Sequence, residues 1–108
     1  MKKITKKDLR GLALAMGARE RDCILHFMPG ALLVPTPIWL PSENICHAMM
    51  VLKALVHKGD VKISYSFTTK KGGGKLETFI CYTYAIKGKG STLPEAITRL
   101  ALNFIEHR

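Results

Sequence analysis

The sequence predicts an α+β domain in which a small antiparallel sheet, built on a central β-hairpin, has helices packed around it. Polar and apolar residues alternate through 61–69, which is the two-residue period of a strand. The run 76–86 is apolar on both faces, so a strand there requires cover on each side. Helical spacing of apolar residues before and after the hairpin supplies that cover. The predicted element order is α-(β)-α-β-β-α.

The hairpin is expected to form the centre of the sheet. Val61, Ile63, Tyr65 and Phe67 make the apolar side of the first strand. Ile80 is expected to lie buried in the second strand. An Ile80→Asp variant should then unfold, because an unpaired charge in a core costs several kcal/mol.

The first helix is predicted from Thr5 to about Met16. Thr5 can cap its start, and Asp8 lies three residues further on. Gly11 weakens the middle of the helix by about 1 kcal/mol relative to alanine, and Gly17 is a stop signal.

Residues 18–41 predict short extended segments. One strand is expected around 23–27 and another at 31–34, separated by a Pro-Gly turn. Prolines in the following seven residues keep the chain extended. Trp39, the only tryptophan, is expected to anchor this segment on the core.

The second helix is predicted to start at Ser42, which follows Pro41 and precedes Glu43 in the first turn. Gly59 and Asp60 end it. The expected core stripe comprises Ile45, Ala48, Met49, Leu52, Leu55 and Val56.

The third helix begins at a capping box formed by Thr92 and Glu95, with Pro94 tolerated in the first turn. Apolar residues then repeat at helical spacing as far as Ile105. The chain contains neither a repeat nor an interdomain linker, so 1–108 is predicted to be a single domain.

Two stretches resemble a known family: PSENICHAMMVLKALVHKG, leading into the hairpin, and the ending STLPEAITRLALNFI. Over residues 39–105 the chain resembles the small phage proteins grouped as the ABA-sandwich domain family, related to the NinX-like proteins of lambdoid phages. The resemblance implies an α/β/α layered fold and a phage origin. It implies no catalytic residues. The chain departs from the family pattern in its lysine- and glycine-rich hairpin turn and in 18–41.

The net charge of +9 is the strongest global signal and predicts an anionic partner. No apolar run approaches the ~20 residues that a membrane-spanning helix needs, so no membrane partner is predicted. The three cysteines are an odd number with no C-x-x-C pair, which fits a reducing compartment. A cytoplasmic location is expected, and the host cytoplasm if the protein is phage-encoded.

Two lysine-rich loops are the candidate anion-binding sites. The first is the glycine-rich hairpin turn, and the second enters the third helix without the spacing of a Walker loop. A soluble turn and a plain strand-to-helix connection are the respective alternatives. An eleven-residue strand spans ~35 Å, which predicts the loops at opposite ends of the hairpin unless a homo-oligomer brings them together. The candidate residues are Lys70, Lys71, Lys75, Lys87, Lys89, Ser91 and Thr92.

Cys23, His26, Cys46 and His47 could in principle bind zinc or act as a nucleophile and a base. Their spacing is poorly defined, and buried structural cysteines are the favoured interpretation. The acidic residues form no spaced pair for hydrolysis. We therefore predict neither a metal, nor a cofactor, nor an enzymatic activity.

Charge and resemblance together predict a small basic non-enzymatic phage-type accessory protein that binds nucleic acid or a nucleotide. The alternative is a protein-binding inhibitor of a host factor, such as a bacterial defence protein (an anti-CRISPR-like or other anti-defence role) or a replication protein. Salt dependence separates the two, because phosphate contacts weaken steeply with salt and a shape-complementary protein interface weakens less.

Overall fold

In the computed structural model the described residues are 3–21, 24–27, 34–36, 38–69 and 71–106. They form three α-helices and two three-stranded antiparallel sheets, which confirms the predicted α+β class. In chain order the elements are α1 (Lys6–Ala15), β1 (Arg19–Arg21), β2 (Ile24–Phe27), β3 (Val34–Thr36), α2 (Ile45–Val56), β4 (Lys62–Thr69), β5 (Lys75–Thr83), β6 (Ile86–Gly90) and α3 (Leu93–Glu106).

A capping box starts α1. The Asp8 amide donates to the Thr5 hydroxyl at 3.2 Å, and the Thr5 amide donates to the Asp8 carboxylate at 3.0 Å. Gly17, at φ 91°, follows the C-terminal cap. The predicted helix and its cap are confirmed.

The start of α2 was predicted wrongly by two residues. Asn44 is the cap, and its side-chain oxygen accepts from the amides of Cys46 at 2.9 Å and His47 at 3.2 Å. Ser42 lies in the preceding turn. Asn44, two residues later, provides the cap instead and fixes the helix start at Ile45.

The buried face of α2 also differs from the predicted stripe. Ala48, Val51 and Leu55 are buried, and α2 packs against α3. Ile45, Met49 and Val56 are about half exposed. Because only His47 and Lys53 are polar in this helix, apolar periodicity alone could not select the face.

The predicted 76–86 strand is in fact two strands. β5 ends at Thr83, and the chain reverses at Tyr84 and Ala85, where Tyr84 has φ 51°. β6 then pairs antiparallel with β5, so the sheet order is β4-β5-β6. The predicted strand-to-helix connection is therefore largely a third strand.

α3 covers one face of this sheet at very close range. A Cβ on Gly88 would lie 2.5 Å from the Ala96 carbonyl oxygen and closer still to the Leu100 amide nitrogen. A Cβ on Gly90 would lie 2.8 Å from the Ala96 amide nitrogen. Beneath the helix Cys81 is fully buried. Only this face has a helix on it in the described part of the chain, so the expected cover on both faces is wrong.

Trp39 joins the N-terminal elements to the core. Its indole is buried, and its Nε1–H donates to the Leu9 carbonyl oxygen of α1 at 2.9 Å. The predicted anchoring role is confirmed. An ion pair between Arg10 and Glu20 links α1 to the small β1-β2-β3 sheet.

The two strands predicted within 18–41 have different outcomes. β2 confirms the one around 23–27, apart from Cys23, which lies outside the described residues. For the one at 31–34, residues 31–33 lie outside the described residues, and Val34 begins β3.

His47 holds the segment before α2 in a way that depends on pH. Its Nδ1 accepts from the Leu40 amide at 3.1 Å, and its ring centroid lies 5.1 Å from that of Trp39. Burial lowers the pKa of His47 below its usual value. A protonated imidazole cannot accept the Leu40 hydrogen bond.

Acidification is therefore expected to destabilise the fold through His47. Because the folded-state pKa is the lower one, the stability contributed is complete above the unfolded pKa of about 6.5 and is lost as pH falls through the folded pKa. Thermal unfolding followed by Trp39 fluorescence should show a lower Tm at pH 5 than at pH 7.5. In a His47→Gln variant, whose amide oxygen can accept at every pH, the difference should shrink; an undiminished difference would contradict this role.

Candidate nucleic-acid interface

The sheet face opposite α3 is the candidate interface, and we call it the open face. Gly88 and Gly90 point at α3, so Lys87 and Lys89 project from the other side of β6. The strand register extends this face across β5 to β4. The open face comprises Lys62, Ser64, Ser66, Thr68, Leu76, Thr78, Ile80, Tyr82, Lys87 and Lys89.

The side chains of the open face suit a polyanion. Three are lysines, four carry aliphatic hydroxyls and none of these described residues is acidic. Lys62 and Lys87 lie on either side of Tyr82 in one row, because both pair with it across the ladder. Neighbouring strands are ~4.8 Å apart, so the two lysine Cα atoms are separated by ~10 Å. The lysines are exposed, and Tyr82 is half-buried.

The described lysines of the first predicted loop are not among the open-face residues. Lys71 is exposed in the β4–β5 turn, where Gly72 has φ 100° and Gly73 has φ 90°. Lys75 lies on the opposite face of the sheet, and its Nζ is 5.7 Å from the Phe67 ring centroid. Lys70 lies outside the described residues.

The hydroxyls of the second predicted loop bond within the start of α3. The Glu95 amide donates to the Thr92 hydroxyl oxygen at 3.3 Å, and the Ser91 hydroxyl donates to the Glu95 carboxylate at 3.3 Å. Arg99 Nε donates to the same carboxylate at 3.2 Å. The Glu95 carboxylate therefore lies at the start of α3, where the sequence predicted that an external oxyanion would bind.

The two loops lie closer together than the sequence predicted. β6 returns towards the β4–β5 turn, and its last residue, Gly90, pairs with Phe79. Phe79 is four residues from Lys75, a distance of ~13 Å along a strand. The expectation of loops ~35 Å apart is wrong, because the reversal at Tyr84 was not anticipated.

A cleft of about 420 Å³ continues the basic surface around the β6 edge. Asn103 Nδ2 donates to the Lys87 carbonyl oxygen there at 2.6 Å and fixes the strand to α3. The charged side chains around the cleft have mixed signs: Lys3, Asp8, Lys87, Lys89, Arg99 and Glu106.

Lys62 and Tyr82 were not predicted to be site residues, although they lie in one row with Lys87. The signal was present in part, because Lys62 alternates with the apolar residues of β4 and so had to lie on its polar face. The pairing of Tyr82 with both lysines becomes apparent only once β6 is known to be a strand.

The cysteine and histidine residues do not assemble into a chemical centre within the described part. Burial raises the pKa of Cys81 to about 11, which keeps it a thiol, and Cys46 is exposed. His47 Nδ1 is engaged by Leu40, and His26 Nδ1 lies 3.1 Å from the Ile24 carbonyl oxygen. No group of three potential metal ligands occurs among the described residues. Cys23 lies outside them.

Comparison with known proteins gives no relative: no family model, no curated protein and no solved structure matches the chain. None of the described helices has both the length and the apolar character needed to cross a membrane. Function must therefore be inferred from the open face itself.

Proposed function

We propose that the protein binds nucleic acid on the open face of the β4-β5-β6 sheet. The observation that carries the proposal is one sheet face with three lysines, four aliphatic hydroxyls, one tyrosine and no carboxylate among its described residues. Lysine, serine and threonine are common donors to phosphate oxygens. A face of one sign also attracts a polyanion before contact is made.

A nucleic-acid strand fits this surface better than a single nucleotide. The lysines lie on both edge strands, so their charges are spread across the sheet rather than gathered around one phosphate. Tyr82 between Lys62 and Lys87 offers a ring on which a base can stack, as in many single-strand binders. The β6 cleft is less suited to a nucleotide, because Asp8 and Glu106 lie among its lining residues.

The remaining parts of the proposal come from the sequence. The non-enzymatic accessory role is carried over from the sequence pattern, and the raised pKa of buried Cys81, about 11, makes that thiol a poor nucleophile. The phage origin is supported by the resemblance over residues 39–105, and a cytoplasmic location in the host would follow from it.

Charge removal on the open face tests the proposal. A Lys62→Gln/Lys87→Gln/Lys89→Gln variant should bind a 20-nucleotide single strand about 100-fold more weakly at low salt, since three ammonium groups no longer neutralise phosphates. Fluorescence anisotropy across a salt titration should also give a shallower slope, by about 0.7 for each phosphate that is no longer neutralised.

The matched control removes the same charge elsewhere. Lys7, Lys53 and Lys58 are exposed on α1, on α2 and just beyond the end of α2, and their glutamine variant keeps the open face intact. It should retain most of the affinity. Equal reductions in affinity in both variants would mean that net charge alone attracts the strand and that the open face is not the site.

A protein-binding inhibitor is the second candidate function. It is favoured by an exposed apolar row on the other face of β4, formed by Ile63, Tyr65 and Phe67. Such a row suits a protein surface rather than phosphates. A partner whose affinity changes little between 50 and 300 mM salt, and is unaffected by the open-face glutamines, would support this candidate.

A further inference from the structure

β4 is an edge strand with all eight of its residues exposed. The face opposite the open face carries the apolar row, with Ile63 at 47%, Tyr65 at 52% and Phe67 at 47% exposure. Tyr65 is held in place from β5, because its ring centroid lies 4.8 Å from that of Phe79 and its hydroxyl donates to Glu77 at 3.2 Å. The row is therefore ordered as well as exposed.

The backbone of β4 offers hydrogen bonds from the same residues. Asn103 bonds the Lys87 carbonyl from outside the sheet, so the backbone groups of Lys87 point away from β5. Ladder hydrogen bonds alternate along antiparallel strands, which turns Tyr82 towards β4 and Lys62 towards β5. The outward amides and carbonyls of β4 consequently belong to Ile63, Tyr65 and Phe67, and to Thr69 at its end.

The two edges of the sheet differ in their protection. On β6 the outward carbonyl of Lys87 is bonded by Asn103 of α3. β4 pairs only with β5 among the described residues, contains no proline, and has a single charged residue, Lys62, at its start. Charges, prolines and covering segments are the usual protections of an edge, and an edge without them is a template for another strand.

We propose that a second copy of this chain pairs with β4 in antiparallel fashion, about a two-fold axis at Tyr65. Tyr65 then lies opposite Tyr65 of the second copy, and Ile63 lies opposite Phe67 of the second copy. Aromatic pairs and aromatic–β-branched pairs are favourable across strands. Because the central residue pairs with itself, the row is complementary to its own copy, as a two-fold interface requires.

The same register is compatible with the charges of the open face. Lys62 lies opposite Thr68 of the second copy, and Ser64 lies opposite Ser66 of the second copy, so no like charges face each other. The other open-face lysines, Lys87 and Lys89, lie two strands from the axis, and salt screens such exposed charges beyond about a Debye length of 8 Å. The charge of +9 therefore opposes the pairing only weakly at physiological ionic strength.

Dimerisation is measured without nucleic acid, so its result is independent of whether the open face binds nucleic acid. Sedimentation at ~100 µM protein should give twice the 12.0 kDa mass of one chain. Tyr65→Lys places two ammonium groups at the axis and should weaken dimerisation at least ~10-fold. Leu76→Lys is the matched control, because Leu76 is exposed to a similar degree but lies on β5. It should remain dimeric.

A disulfide tests the register itself. Directly opposed hydrogen-bonded residues have Cα atoms ~5.5 Å apart, within the range that a disulfide spans. In a Cys23→Ser/Cys46→Ser background, Tyr65→Cys should form a covalent dimer on mild oxidation, whereas Phe67→Cys, which faces Ile63 of the second copy, should not. A monomeric wild type, a dimer that survives Tyr65→Lys, or equal crosslinking at both positions would overturn the proposal. If the wild type is a monomer, the β4 edge would be open to pairing with a strand of another protein.

Discussion

Gly88→Ala is expected to be among the most damaging single substitutions in the described part of the protein. The new methyl group would overlap the backbone of α3 at Ala96 and Leu100. Both positions are inside a helix and buried, so neither can move aside as the end of a flexible side chain would. Overpacking of a core typically costs 1–3 kcal/mol, and a clash with backbone belongs at or above the top of that range, at about 3 kcal/mol or more.

Gly11→Ala is also a glycine-to-alanine change, but it is expected to stabilise the protein. A Cβ at Gly11 meets nothing within 4 Å, and the residue lies within α1. Alanine should therefore raise the free energy of unfolding by up to about 1 kcal/mol. Urea unfolding monitored by circular dichroism compares the two variants directly. Similar midpoints for Gly88→Ala and wild type would mean that α3 does not approach β6 this closely.

The second large effect is expected at Cys81, directly beneath α3. Its side chain is fully buried, so Cys81→Asp places a carboxylate without a partner in the core. Burying an unpaired charge costs several kcal/mol, and we expect the cooperative melt to be lost at neutral pH. Cys81→Ala is the control, and it should remain folded with a lower Tm.

Ile80→Asp should behave differently, although Ile80 adjoins Cys81 in the chain. The sequence placed Ile80 in the core, but it lies half-buried on the open face, opposite Lys89 across the ladder. Its variant is expected to keep a cooperative melt while binding nucleic acid more weakly, because a carboxylate now stands beside a lysine. A folded Cys81→Asp variant together with an unfolded Ile80→Asp variant would reverse the assignment of the two faces.

The helices that begin at local side-chain caps were the most predictable elements. Thr5 and Asp8 around α1 are close in sequence, so the pattern contains all the contacts that define the helix start. α2 shows the limit of this reasoning. Ser42 and Asn44 are both good caps, and the choice between them depends on the turn that precedes the helix.

β6 could not be predicted because its glycines, which usually argue against a strand, are required for contact with another element of the fold. Gly88 and Gly90 weaken an isolated strand, yet here they allow α3 to approach. Tyr84 and Ala85 form the preceding turn without the glycine or asparagine that usually marks one. Which residues share the open face depends on β6 being a strand of the sheet. Without that strand, only the two lysines of β6 were predicted as site residues of this face.

The hydrogen bond between Trp39 and Leu9 bears on how the chain could be shortened. A fragment trimmed to residues 39–105, the span of the family resemblance, would retain the indole and lack its acceptor on α1. The hydrogen bond to Leu9 would be lost, and the apolar surface that α1 covers would meet water. The smallest autonomous unit of this protein therefore includes its first helix, and expression of truncated forms should begin no later than the Thr5 cap.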